Sequence, residues 1–540
     1  MREYADVIFY NGSVVTVNEK DEIVEAIAVK GNKIAAVGKD EDICMFKGTS
    51  TRMIDLNGRS LIPGIIDSHI HFALYGMKQG PVIDIDFVKV KSIAEIKELI
   101  RKAVKVKAPG EWIVLNGYDH NKLLEQRHPT LEELDEIAPY NPVRCVRCCS
   151  HMGVHNSMAL KIAGITGPDD FAPGEVVVEN GKMTGLLKEN AHMFVGTKVS
   201  YDIEEVKEGV RVADKIMSAY GITSVCDAGS EGVEALSVMA AGAKNGSLKT
   251  RMRFMIFSLA GKEKNKECID AYIKTGMITG VGNERFAIGP TKIMLDGSSS
   301  GPSSATRTPY DHDPDLKGIL VWDQEDANEW ILKAHNAGYQ VTAHAVGDKA
   351  VELMVNAIEN AMEKSPRPDC RHRIEHCGII DEALLARIKA LGIIPISNPS
   401  FVELNGRDYN RFYGDRVDYM FPCRSYFDAG VITAGGSDAP VTLPDPMEGL
   451  YGAVTRKDRN TGEECGPCQK ITMLEAIRMY TYNGAYASFE EDIKGSLEVG
   501  KLADMVVLSD NILMTPEDRI KSVKADLTMI DGEIVYEREQ

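Results

Sequence analysis

The sequence predicts an α/β fold, a TIM-type (β/α)8 barrel with added parts, on three observations. Eight short apolar or β-branched segments alternate with helical stretches through the middle of the chain. Both chain ends read instead as strands and hairpins. At 540 residues the chain is too long for one ordinary core and fits one large barrel plus smaller parts.

The candidate barrel strands are Ser60–His71, Thr223–Gly229, Arg251–Ser258, Phe286–Gly297, Tyr339–Gly347, His372–Cys377, Ile393–Asn398 and Val431–Asp438. Helical stretches such as Asp202–Tyr220, Gln324–Gly338, Asp348–Lys364 and Asp381–Gly392 lie between most of them. Such alternation implies a parallel sheet, and eight units imply closure into a barrel. The first two strands stand about 150 residues apart, and a structureless loop of that length is implausible. Residues 78–200 are therefore read as an inserted subdomain, expected to cover the barrel mouth.

At the start of the chain, Val7, Phe9, Val14 and Val17 lie around Asn11-Gly12, and a second alternating stretch, Ala26 to Val37, turns at Gly31-Asn32. These dipeptides accept positive φ and suit tight hairpins. At the far end, Asp504–Leu508 is a short apolar strand and Leu527–Tyr536 turns at Asp531-Gly532. The two ends are expected to form one small, β-sandwich-like domain from residues 1–60 and 491–540, beside a barrel of residues 61–490.

Apolar residues make up 44% of the chain and charged residues 26%, a globular rather than a disordered balance. Acidic groups number 80 against 62 basic ones, and the net charge of -18 argues against nucleic acid or anionic membranes as partners. Charges break the segment Met1–Tyr10 within a few positions, so no signal-peptide core is read there. No apolar run reaches the roughly 18 residues of a membrane span. A cytoplasmic location follows by default, with a small molecule as substrate and a homodimer as the assembly to test. The eleven cysteines are an ordinary load. Cys145, Cys148 and Cys149 cluster, and Cys465 and Cys468 form one C-x-x-C pair. A zinc ribbon needs two such pairs, so reduced structural thiols are the reading.

His69-Ile70-His71 ends the first strand, and side chains two apart on a strand share a face. Asp67 shares that face and could orient a histidine ring. Taken alone, H-x-H also fits two polar residues capping a strand. The other candidates fall at strand ends too: Lys292 on the fourth strand, His344 ending the fifth, His376 ending the sixth and Asp438 ending the eighth. Barrel enzymes place their chemistry at the C-terminal ends of strands. A single histidine in an apolar strand is usually a satisfied core residue. Six ligand-capable groups on one rim point instead to a metal cluster.

The segment Leu61-Ile-Pro-Gly-Ile-Ile-Asp-Ser-His-Ile-His71 resembles the first-strand signature of the amidohydrolase superfamily. The closer resemblance is to its amidohydrolase-3 (YtcJ-like) branch, whose best-described activity is deformylation of N-substituted formamides. The Lys-x-x-x-Asp-Gly of Lys292–Gly297, the segment His344–Asp348, the Gly-Ser-Asp-Ala-Pro of Gly436–Pro440 and the closing Gly495–Asp504 carry the same resemblance, which covers nearly the whole chain. It is specific for the superfamily and poorly specific for substrate. It implies that Lys292 reacts with carbon dioxide to give a carbamate bridging two divalent metals. His69, His71 and Asp438 would hold one ion, and His344 and His376 the other. An ammonium cannot ligate a cation, whereas a carbamate is an anionic oxygen ligand whose formation needs a neutral, buried amine. The alternative for Lys292 is an ammonium paired with Asp296. Zinc fits the mixed donors, as do other divalent ions.

The implied reaction is hydrolysis of a carbon–nitrogen bond, in an amide or N-formyl group, by a metal-bound hydroxide. Asp438 would take the proton and pass it to the leaving amine. Ester or lactone hydrolysis and single-metal deamination use the same site. A non-catalytic scaffold should lack ligands that this sequence retains. Within the insertion, Cys149–Leu160 resembles the family's substrate-side His…Asn-Ser-x-Ala-Leu segment. His151 could polarise a substrate carbonyl, and Asn156 either contacts substrate or caps the following helix. Val154 stands where relatives often carry an aromatic residue, a change that could alter the pocket. Tyr118-Asp119-His120 and Ser298–Ser304 are further loop candidates.

Overall fold

The eight barrel strands are β1 (Ile65–Ile70), β2 (Ile222–Asp227), β3 (Arg251–Ile256), β4 (Phe286–Met294), β5 (Val341–Ala345), β6 (Arg373–His376), β7 (Ile394–Ser397) and β8 (Ala434–Gly435). They form one sheet in sequence order in the computed structural model, which describes residues 4–539 apart from 88, 149–151, 172, 230, 231 and 260. Every ladder between neighbours is parallel. Strands β1 and β2 are buried at every position, as expected where helices cover a parallel sheet. The sheet's two ends approach each other beyond β8. The Asp438 N–H donates to the His69 carbonyl at 2.7 Å, and the His71 N–H to that of Ala439 at 2.9 Å.

The intervening helices start where the sequence supplies caps. Asp323 caps Gln324–Asn336 and Asp381 caps Glu382–Ala390, each through its carboxylate. The helix Asp348–Lys364 buries Val351, Met354, Val355, Ile358 and Ala361, a stripe at three- and four-residue spacing. That stripe joins a core with Ile374, Ile388 and Ile393.

Two sequence expectations need correction. Ser60–His71 is not one barrel strand but two strands in two sheets, divided at Gly64. Ser60–Pro63 pairs with Met505–Leu508 and Ser13–Val15, and only Ile65–Ile70 enters the barrel. A Cβ on Gly64 would lie 2.2 Å from Thr223 Oγ1, so the crossing beside β2 excludes a side chain. The second correction concerns Asn11-Gly12, which closes no hairpin. Val7–Tyr10 pairs with Ala26–Lys30 and Arg52–Asp55, whereas Ser13–Val15 pairs with Ile23–Val24 and Ser60–Pro63. The dipeptide steps the chain between sheets, and the Gly12 N–H goes to the Glu25 carbonyl. The other two turn signals act as expected. Gly31-Asn32 joins Ala26–Lys30 to Lys33–Gly38, and Asp531-Gly532 joins Ala525–Ile530 to Glu533–Glu537.

Strands from both chain ends share a six-stranded sheet, in the order Glu533–Glu537, Ala525–Ile530, Met505–Leu508, Ser60–Pro63, Ser13–Val15, Ile23–Val24. Phe9, Val14, Ile27, Leu61, Met505 and Leu527 pack together beneath it. These strands and the barrel fall in one compact unit, residues 1–72 with 214–540. The buried Arg251 of β3 ties them together through Asp504, at 2.6 and 2.9 Å.

Residues 73–213 form the other compact unit, wider than the 78–200 read from the sequence. The difference lies in the flanking helices Phe72–Gln79 and Ile203–Ala219, which meet at Gly76 and Gly209. This unit holds a six-stranded sheet ordered Val176–Glu179, Lys182–Lys188, Met152–His155, Val143–Arg147, Ile113–Tyr118, Ile83–Asp84. Among the described residues no helix is long and apolar enough to cross a membrane.

Candidate metal centre

The pleat of β1 sets Asp67 and His69 on one face, with His71 just beyond the strand. Lys292 lies in β4 opposite Thr342 of β5, and His344 lies opposite Glu375 of β6. His376 ends β6, and Asp438 follows β8. All six groups read from the sequence therefore meet at the C-terminal ends of the barrel strands. His69 Nε2 and His71 Nε2 each lie 3.4 Å from Asp438 Oδ1. Lys292 Nζ lies 3.4 Å from His69 Nε2. The His376 ring is centred 4.8 Å from that of His69 and 4.6 Å from that of His344. Strict strand alternation would send Glu375 and His376 to opposite faces. A left-handed backbone at His376, φ 68°, breaks that alternation, and Asp438 is left-handed too, at φ 58°. Such conformations in non-glycine residues gather where function overrides backbone preference.

Each imidazole has one nitrogen committed to a fixed acceptor. His69 Nδ1 lies 2.5 Å from Glu375 Oε2, and His71 Nδ1 lies 2.8 Å from the Gly229 carbonyl. His376 Nδ1 lies 2.7 Å from Asn398 Oδ1, whose amide is oriented by donating to the Gly436 carbonyl. His344 reverses the pattern, with Nε2 at 3.0 Å from the Gly297 carbonyl. An acceptor draws the proton to the nitrogen facing it. The lone pairs therefore fall on Nε2 of His69, His71 and His376 and on Nδ1 of His344.

The protonation energetics suit cation binding. Burial pushes His344 down to about 4. Burial, then His344 and His69, hold His376 well below the usual histidine range. Burial and Lys292 also push His69 down, but Glu375 and Asp438 outweigh them and raise it. A proton on its Nε2 and a cation compete for the same lone pair. Burial alone would raise Asp438, but when Nε2 of His69 and of His71 carry protons in place of a cation, their hydrogen bonds to it hold its carboxyl well below the usual range. Burial lowers Lys292, although Glu375 and Asp438 oppose the shift. Its Nζ donates to the Ala228 carbonyl at 3.2 Å.

The alternative pairing of Lys292 with Asp296 is not formed. Asp296 accepts from the N–H groups of Ala305, Val346 and Gly347 at 2.8–3.0 Å and lies 3.5 Å from His344 Nε2. Burial pushes it up to about 7 against those three donors. Asp67 also departs from its expected role, because it orients no ring. It takes the Ser437 hydroxyl at 2.6 Å and the Ser437 and His69 N–H groups. The orienting carboxylate is Glu375, which the sequence reading missed. Its signal was a charged residue inside an otherwise buried strand, Arg373-Ile-Glu-His376.

His69, His71 and Asp438 offer ligand atoms within 4.8 Å of one another, and this mixed nitrogen and oxygen set fits a divalent transition ion. A second buried group, His335, Cys370 and His372, is equally tight. Its hydrogen bonds decide against a cation. The Val341 N–H donates to His372 Nδ1, so the proton of the neutral ring sits on Nε2, 2.9 Å from His335 Nδ1. His335 Nε2 in turn faces the Ser365 carbonyl at 2.7 Å. A metal on His372 Nε2 would require an imidazolate, so the group is a closed hydrogen-bond relay.

The remaining candidates divide. Asn156 is the helix cap, accepting from the Ala159 and Val143 N–H groups and donating to the Ala138 and Asn141 carbonyls. Tyr118 bonds His128, and Asp119 pairs with Arg147 at 2.8 Å. Ser299 and Ser304 bond the hydroxyls of Tyr409, Tyr310 and Tyr413. Val154 packs in the core of the second unit beside Cys145. Cys465 is buried and Cys468 exposed, and both are free thiols. His151 and Cys149 lie outside the described residues.

The profile of the Amidohydrolase family matches residues 52–536. The putative amidohydrolase YtcJ of Bacillus subtilis (strain 168) is 29% identical over 98% of this chain and 99% of its own. The N-substituted formamide deformylase of Arthrobacter pascens is 28% identical over 100% and 99%. An uncharacterized metal-dependent hydrolase from Pyrococcus horikoshii OT3 shares the fold, with a TM-score of 0.78 at 24% identity over 95% of this chain and 99% of its own.

Proposed function

The chain belongs to the amidohydrolase family and is a hydrolase acting on carbon–nitrogen bonds, and we propose that it cleaves an amide or N-formyl group at the centre described above. The observation that carries this reading is the gathering of four histidines, each with one ring nitrogen held by an acceptor, with one ionised carboxylate and one buried amine on a single barrel rim. His69, His71 and Asp438 would hold one divalent ion, zinc being the best fit, and His344 and His376 a second. Such ions, when bound, polarise a carbonyl and make water a nucleophile at neutral pH.

The chain's own groups do the rest. Burial favours the neutral amine of Lys292, which can add to carbon dioxide and lose one proton to become a carbamate linking the two histidine sets. Asp438, ionised across the neutral range, takes a proton from water and returns it to the departing amine. His151, in the segment resembling the family's substrate side, would donate to the carbonyl oxygen as negative charge grows there. We read residues 78–200 as the part that selects substrate. We read residues 1–60 with 491–540 as a discontinuous β domain, which their shared sheet supports.

A one-ion centre has one observation in its favour, since His69, His71 and Asp438 form a compact set without Lys292. Deamination is the reaction to set against deformylation on that ground. A screen of zinc-loaded protein against N-formyl, N-acyl and cyclic amides, with lactones and aminopurines alongside, tests the reading. Amine release from a formamide or amide is expected. Turnover confined to lactones, or to ammonia release, would overturn it.

A further inference from the structure

Glu375 is completely buried, and each of its oxygens accepts two hydrogen bonds. Oε2 takes His69 Nδ1 at 2.5 Å and Arg373 Nη2 at 3.0 Å. Oε1 takes Thr342 Oγ1 at 2.7 Å and Arg373 Nε at 3.0 Å. Arg373, also without exposure, donates from Nη2 to the Ser68 carbonyl at 2.7 Å, one residue before His69. The pair therefore grips β1 at two adjacent positions from β6. We propose that Glu375, with Arg373 as its counter-charge, is a positioning residue that fixes the tautomer of His69 and thereby sets how tightly the centre holds its first cation. The second half of this inference rests on the metal reading above.

The energetics favour this role over a purely structural one. Burying two charges costs several kcal/mol per ion, and a buried pair is often no better for stability than apolar residues of equal volume. A carboxylate accepts and never donates. Its presence at 2.5 Å requires the His69 proton to sit on Nδ1, and the opposite tautomer would set a lone pair against a carboxylate oxygen. With Nδ1 protonated, Nε2 is the ligand atom, and it faces Asp438 and Lys292 at 3.4 Å each. Thr342 and Arg373 occupy the rest of the carboxylate, so it cannot rotate away.

Glu375→Gln keeps the shape and removes the certainty. If the amide oxygen turns to His69, its NH2 meets the Arg373 donor. If the NH2 turns to His69, the ring must move its proton to Nε2 and lose the ligand atom. Two readouts on chelator-stripped full-length protein test the proposal. The first is zinc affinity by chelator competition, expected to weaken by about 10–100-fold, the usual effect of losing a ligand's orienting partner. The second is the pair of His69 ring-nitrogen NMR shifts in metal-free protein, read on the neutral limb of the ring's titration, where they are expected to move from a pure Nδ1–H form to a mixture. Thr342→Val, which leaves the carboxylate on His69, should keep the wild-type tautomer. Should the glutamine variant not fold, Glu375→Asp, which withdraws the carboxylate, is read in the same two ways. Unchanged shifts and unchanged affinity would overturn the proposal and leave the metal reading standing. Wild-type protein that binds no zinc would overturn the metal reading, and the shifts would still decide the tautomer.

Discussion

Asp438 meets two demands at once, since it faces His69 and His71 as a ligand-capable carboxylate and is the base proposed to move the proton. Asp438→Asn separates them, because the amide keeps an oxygen but accepts no proton at neutral pH. Zinc content should stay close to wild type while turnover falls by roughly 10²-fold or more, the scale of a lost acid–base group. Full zinc with near-normal turnover would exclude Asp438 as the shuttle and move attention to His151. For Lys292→Ala we expect almost no activity, partly restored by short carboxylic acids that stand in for the carbamate. Wild-type protein should carry the mass of one added carbon dioxide. Active enzyme with a plain lysine would refute the bridge. The six candidates could be picked out of the sequence because each lies in or just after a barrel strand, inside a local motif. Their tautomers could not, because the acceptors come from elsewhere in the chain: Glu375 lies 306 residues from His69, and Gly229 lies 158 from His71.

Elements show the same division between local and distant causes. The hairpins at Gly31-Asn32 and Asp531-Gly532 followed from their dipeptides, since their flanking strands are each other's partners. Asn11-Gly12 carries the same signal, yet its flanking strands do not pair with each other and find partners at Ala26–Lys30, Ile23–Val24 and Ser60–Pro63, which the dipeptide does not reveal. Gly436 closes the seam between β8 and β1, where a Cβ would lie 2.7 Å from His69 Cβ and 2.8 Å from its amide nitrogen. Gly436→Ala should cost about 1–3 kcal/mol in chemical denaturation, as overpacking does, and should also weaken zinc binding. Unaltered stability and zinc affinity would mean that the seam is slack. The relay of His335 and His372 makes a prediction about pH. Burial pushes His372 down to about 3, below the roughly 6.5 of an unfolded chain. Between those values the unfolded state binds the extra proton, so stability is present above pH 6.5 and declines on acidification. The slope from this one group approaches about 1.4 kcal/mol per pH unit, so unfolding curves between pH 6.5 and 5 should be flatter for His372→Gln. Parallel curves for the two proteins would show that the ring contributes no such linkage.

At the scale of the whole molecule, the eight alternating segments were enough to give the barrel, and the chain between the first two strands holds a sheet of its own. Boundaries were harder to read. Ser60–His71 reads in the sequence as one unbroken strand, and only the pairings on either side of Gly64, with its contact to Thr223, show that it serves two sheets. The second compact unit begins at residue 73, where Gly76 approaches Gly209 through helix packing that the sequence does not display. The reading proposed above has this architecture hold divalent ions that hydrolyse a carbon–nitrogen bond. The most direct test strips the protein with a chelator, adds zinc in steps, and follows amine release from the best N-formyl or amide substrate of the screen. Stripped protein should show no turnover, and zinc should restore it with a rise that saturates within about two ions per chain. Full turnover by protein shown to contain no metal would contradict it.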